Sequence, residues 1–156
     1  MAIDVTHLSE LLQQEHKIAV ALHNLLQHEE KTLVSDDLPL LEEQQGKHQG
    51  LVKQLQDHAE KRLQWMQDNN LPLSSECLLH PAIEQEATIS RLWHTLSDQY
   101  LLNQELSAKL AEVTLGLRHR TQQKLNILHG RKNEPNVYNK SGKTHSNVQG
   151  LGSIQV

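Results

Sequence analysis

Eleven histidines, nineteen carboxylates and one cysteine supply the residue types that ligate metals or carry acid–base and nucleophilic chemistry. In helical di-metal proteins, Glu-x-x-His brings two side chains three residues apart onto one ion. No histidine here has Glu three residues before it, and the nearest pairs are Asp4/His7 and Cys77/His80. No His-x-x-x-His occurs either. Cys77 lies outside any nucleophile motif, and neither Gly-x-Ser-x-Gly nor a phosphate-cradling Gly-rich loop is present. The spacing predicts no catalytic residue, no metal site and no cofactor, so the chain reads as a non-enzyme. Its carboxylates are expected mainly on polar, solvated helix faces.

The elements that would position any site are helical. Leu supplies 28 residues and Gln 17, Phe is absent, and aromatics make up 3 % of the 156 residues. That composition disfavours strands. Leu, Ile and Val together number 42, enough to drive burial of a core. Leu8, Leu11, Leu12, Ile18, Ala19, Leu22, Leu25, Leu26 and Leu33 recur at three- and four-residue steps, one stripe of a first helix. Ser35-Asp36-Asp37 marks a turn; Asp36 or Asp37 caps a second helix, with Pro39 tolerated in its first turn. That helix carries Leu38, Leu41, Leu51, Val52, Leu55, Ala59, Leu63 and Met66. It is weakened by Gly46 and Gly50, a spacing that suggests close helix packing. The short turn makes the two helices an antiparallel hairpin. After a Pro-bounded connection over residues 69–81, a third helix is expected from about Ala82 to about His129. Its seam is Ile89, Trp93, Leu96, Tyr100, Asn103, Leu110, Leu117, Leu125 and Leu128, with Asn103 placed to fix register. The fold class is all-α: a long antiparallel hairpin plus a long third helix, with residues 1–130 as the helical domain. Residues 131–156, rich in Asn, Ser, Gly and Lys, read as a flexible basic C-terminal tail.

Charge and hydropathy narrow the function classes. The net charge of −4 divides into −7 over residues 1–129 and +3 over residues 130–156. Neither half has the basic, aromatic-interleaved pattern of a nucleic-acid binder. The cations Arg118, Arg120, Lys124, Arg131 and Lys132 suit the negative end of the third helix's dipole. A single cysteine implies no disulfide framework. No apolar run is long enough to span a bilayer, and Met1-Ala2-Ile3-Asp4 lacks a secretory signal pattern. A cytoplasmic protein without stable membrane insertion is expected. What remains is apolar surface: Leu102, Leu106 and Val113 form a second flank on the third helix, bordering Leu117. Either the helix bends and buries both flanks, or the extra flank is a groove for another protein's amphipathic helix.

Several stretches resemble the FlgN-type flagellar export chaperones, in order and over most of the chain. Leu33-Val34-Ser35-Asp36-Asp37-Leu38-Pro39 looks like the family's hairpin turn, and Lys47-His48-Gln49-Gly50-Leu51-Val52-Lys53-Gln54-Leu55 its Lys-x-x-Leu-x-x-x-Leu helix. Leu92-Trp93 and Leu102-Asn103 fit the third helix. Most specific is Gln122-Gln123-Lys124-Leu125-Asn126-Ile127-Leu128, similar to a Gln-Gln-x-Leu-x-x-Leu helix end. Val137-Tyr138-Asn139-Lys140-Ser141-Gly142 follows, with Asn139 where the family's tail has Gly. The resemblance implies a cytoplasmic chaperone that binds the C-terminal helical region of hook-associated proteins 1 and 3 (FlgK and FlgL). It would prevent their premature assembly and deliver them to the type III export gate. The widened apolar arc and the family pattern near Leu125 predict cargo contacts at Leu106, Leu110, Val113, Leu117, Leu125 and Leu128. By the same resemblance Tyr138, the only aromatic after residue 100, docks on the cytoplasmic domain of the gate. The competing reading is a helical coiled-coil scaffold or adaptor with no secretion role.

Overall fold

Asp4 and Asp37 each open a long helix by the same device. The Asp4 carboxylate accepts from the His7 backbone N–H at 3.1 Å, starting α1 (Val5–Ser35). The Asp37 carboxylate accepts from the Leu40 N–H at 3.2 Å, starting α2 (Leu38–Asp68), with Pro39 in the first turn where no N–H is needed. Between them Asp36 adopts a left-handed conformation (φ 60°), and its N–H closes α1 onto the Thr32 carbonyl. Of the two candidate caps, Asp37 is the one used. The computed structural model describes residues 2–129; the tail expected over residues 131–156 lies outside the described residues.

Past α2 the chain turns through a 3-10 segment, Ser75–Leu79, and a single helical turn, α3 (Pro81–Glu84), before α4 (Ala87–Leu128). The long helix was expected from about Ala82, but it starts at Ala87, after Glu86 leaves the helical conformation. Geometry explains the break. Ile83 and Ile89 are both 1 % exposed, yet in one continuous helix they would point about 120° apart. Interrupting the helix lets both reach the core beside Leu71 and Cys77.

The three long helices run up, down and up. Glu15 pairs with Arg62 and Glu29 with His48, so α1 and α2 are antiparallel. Glu15, Ala19 and Glu30 meet Tyr100, Asn103 and Lys109 in rising order, so α1 and α4 are parallel. α1 is the central helix, packed against both others. Its stripe of Leu8, Leu12, Ala19, Leu22 and Leu26 faces Leu55 and Met66 of α2 and Ile89, Trp93, Leu96 and Leu110 of α4. Asn103 is 1 % exposed and donates to the Ala19 carbonyl at 2.9 Å, which pins the register of α4 on α1 as its place on the seam predicted. Gly46 and Gly50 do not serve close packing: a Cβ at either would meet nothing within 4 Å. No helix among the described residues is long and apolar enough to cross a membrane.

Candidate functional site

Two regions concentrate side chains of interest, one within the core and one at the open end. In the core, Glu15 and Arg62 are 0 % and 1 % exposed. Arg62 grips the carboxylate with two bonds, Nε to Oε2 at 2.7 Å and Nη2 to Oε1 at 3.2 Å. The Tyr100 hydroxyl donates to Oε1 at 2.7 Å, and the guanidinium lies over the Trp93 ring, 5.2 Å from its centroid. Burial, with the charge of Glu15 beside it, raises the Tyr100 hydroxyl far above its usual range. Burial likewise pushes the Cys77 thiol up to about 11, against a smaller opposing pull from Arg62. Glu15, Arg62 and Tyr100 come from α1, α2 and α4, so their bonds hold the three long helices together. The spacing of the apolar residues carries the signal for it. Glu15 falls in the α1 stripe between Leu12 and Ala19, and Arg62 in the α2 stripe between Ala59 and Met66. The expectation that carboxylates lie mainly on polar helix faces gave no place to Glu15, nor to Glu29, which is 7 % exposed and accepts from His48.

The open end lies around the α1–α2 turn. A groove of about 530 Å³ runs between the hairpin tip and α4. Thr32, Leu33 and Asp36 of the α1 end, Asp37, Leu38, Leu41 and Gln45 of the α2 start, and Thr114, Leu117, Arg118, Thr121 and Gln122 of α4 line it. The tip forms because α1 ends at Ser35 whereas α4 continues to Leu128. At 42 residues against 31, α4 is longer by about 16 Å, and its last turns project past the hairpin. Apolar side chains stay uncovered around this end: Val34 is 82 % exposed, Ile127 75 % and Leu128 79 %. Among the described residues, no group of three or more His, Cys, Asp or Glu is placed to hold a metal ion.

The predicted cargo residues divide along α4. Leu110 is buried in the core, and Leu106 is half-buried against it. Val113 and Leu117 are half-buried, and Leu117 lines the groove. Leu125 and Leu128 are exposed on the projecting turns. Of the second flank, Leu102 is exposed, while Leu106 and Val113 are half-buried; on the seam, Leu110 is covered and the stripe opens to solvent beyond Leu117. The structure adds the hairpin-tip wall, Leu33, Leu38 and Leu41, which the sequence reading left out. Tyr138 lies outside the described residues. The dipole account of the α4 cations also needs correction. The last turn of α4 contains no basic residue: Lys124 precedes it, Arg118 and Arg120 stand at least two turns from Leu128, beyond the reach of the dipole's end, and Arg131 and Lys132 lie outside the described residues.

The family model described as FlgN protein matches residues 1–146. No curated protein and no solved structure matches the chain.

Proposed function

The chain belongs to the FlgN family of flagellar export chaperones, and on that premise we propose that its cargo is the C-terminal helical region of hook-associated proteins 1 and 3. In this reading the cargo helix lies in the distal groove, along the exposed part of α4. The same apolar stripe that would drive its premature assembly packs on Leu117, Leu125 and Leu128. Val113 supports the groove from α4, and Leu106 and Leu110 anchor that helix to the core. The complex is then delivered in the cytoplasm to the cytoplasmic domain of the export gate, with Tyr138 as the docking residue. A tail tyrosine can place its ring in an apolar pocket while its hydroxyl stays hydrogen-bonded. Ordering the tail costs entropy, which keeps the contact weak and releasable.

The observation that carries this reading is an apolar groove continued by an uncovered helical stripe, the geometry that receives an amphipathic helix. Burying a Leu side chain contributes roughly 1.5–3 kcal/mol. Leu125→Ala/Leu128→Ala should therefore weaken cargo binding by about two orders of magnitude with circular dichroism unchanged. Val113→Asp/Leu117→Asp should abolish it. If both variants stay folded and bind hook-associated proteins normally, the site is wrong. Tyr138→Ala is expected to leave cargo affinity intact and to reduce gate binding and export. Equal loss of both, or unchanged gate affinity by titration, counts against that division.

A further inference from the structure

The projecting part of α4 carries a charge pattern that the fold leaves unpaired. On a wheel at about 100° per residue, Leu117, Thr121, Leu125 and Leu128 fall within about 80° of one another. Arg118 stands just beyond Leu125 on one flank, and Lys124 and then Arg120 stand beyond Leu117 on the other. All three cations are exposed. Among the described residues none of them pairs with a carboxylate, whereas Arg62 and Lys109 do. From residue 113 to the end the sequence holds seven cations against the single acid Glu134, a net of +6, while residues 1–112 carry −10.

That charge decides between occupants. The chain's own residues 130–156 carry +3, so laying them on this strip would set like charges against each other. The same holds for the matching strip of a second copy. A helix with carboxylates beside its apolar stripe meets the opposite situation on both flanks. Across the groove, Asp36 and Asp37 repel such a helix from the hairpin tip, which holds it against α4.

We propose that this strip takes an acidic amphipathic helix, one whose apolar stripe packs on Leu117, Leu125 and Leu128 while Asp or Glu on its flanks pair with Arg118 and with Lys124 and Arg120. The inference rests on the cargo-binding reading above and specifies the chemistry of the segment held there. Charges at such a rim act chiefly on association rate and partner choice, and are screened by salt.

The test uses the full-length chain and two synthetic helical peptides with one Leu stripe, flanked by Glu in one and by Lys in the other. Fluorescence anisotropy at low salt should show the Glu-flanked peptide binding at least about tenfold tighter, with the preference shrinking as ionic strength rises. Arg118→Glu/Lys124→Glu should reverse the preference, and Arg118→Gln/Lys124→Gln should erase it. These side chains are exposed, so circular dichroism should not change. Equal binding of the two peptides, or a preference that survives charge reversal, overturns the proposal. So does a cross-link from Lys140 or Lys143 to Asp36 or Asp37 in the peptide-free chain, which would seat the tail in the groove. A dimer in sedimentation that Leu125→Asp abolishes would overturn it in favour of a second copy. C-terminal segments of the hook-associated proteins, titrated in the same assay, separate the two readings. Their failure to bind while the Glu-flanked peptide binds supports the strip's chemistry and rejects the cargo assignment. Their binding without charge dependence rejects the charge inference alone.

Discussion

A carboxylate at the centre of a helix–helix interface is tolerated only when it is paired and hydrogen-bonded, and Glu15 meets both conditions through Arg62 and Tyr100. Removing one partner leaves a buried charge. Arg62→Ala is expected to lower stability by about 3–5 kcal/mol in urea denaturation, whereas Glu15→Leu/Arg62→Met, which removes both charges, should cost far less. Equal losses in the two variants would mean that packing, not charge pairing, sets the cost. The same region gives the protein an alkaline limit. The Cys77 thiol, raised from 9.0 to about 11 in the folded chain, keeps its proton through a range where the unfolded chain has given it up. The unfolded state binds fewer protons there, so stability falls as pH rises from about 9 to about 11, by at most about 1.4 kcal/mol per pH unit. Tyr100, also raised, adds a fall of the same sign above pH about 10. Well below pH 9 both groups hold their protons in the folded and the unfolded chain, so neither makes stability depend on pH there. Cys77→Ala should flatten the decline between pH 9 and 11 in a pH series of thermal melts; an unchanged slope would assign it elsewhere.

Within the helices, three interior glycines have no steric reason to be there. Gly46, Gly50 and Gly116 all face open space where a Cβ would stand, and glycine inside a helix is less favourable than alanine by roughly 1 kcal/mol. Gly46→Ala/Gly50→Ala should therefore raise stability by about 1–2 kcal/mol in chemical denaturation, and a loss would show that the helix does not accept a Cβ at these positions. The period of apolar residues and the Ser35-Asp36-Asp37 turn made α1 and α2 legible, because capping and amphipathicity are local. The start of α4 was not. Pro81 reads as a good first-turn residue, and only the demand that Ile83 and Ile89 share one core forces the break at Glu86. Glu15 and Arg62 were legible in principle, since each sits on the apolar stripe of its helix. Reading the stripes for apolar residues alone passed over both.

At the scale of the whole molecule, what separates buried from exposed leucines along α4 is helix length, which no local pattern in α4 reports. Leu110, Leu117, Leu125 and Leu128 continue one stripe, and the sequence alone cannot divide them. The division comes from α1 ending at Ser35, so that among the described residues Leu110 is covered and Leu128 is left 79 % exposed. It follows that stability is graded along the molecule. The end around Glu15, Arg62, Trp93 and Cys77 is cross-linked by buried polar and aromatic contacts. The distal end has exposed leucines, an open groove and glycines in two helices. A helical stretch as short as the projecting turns of α4 is marginal without tertiary cover, and regions with few buried contacts open at lower free energy than the core. Native-state hydrogen exchange should accordingly find the amides from Trp93 to Asn103 protected close to the global limit, and those from Thr121 to Leu128 only weakly protected. Adding a Glu-flanked helical peptide should slow the second group selectively. Arg62→Ala should reduce protection of the first group and leave the second almost unchanged. Uniform protection along α4, or slowing that spreads equally over both groups, would show a single cooperative unit and remove the physical basis for a yielding binding end on a rigid base.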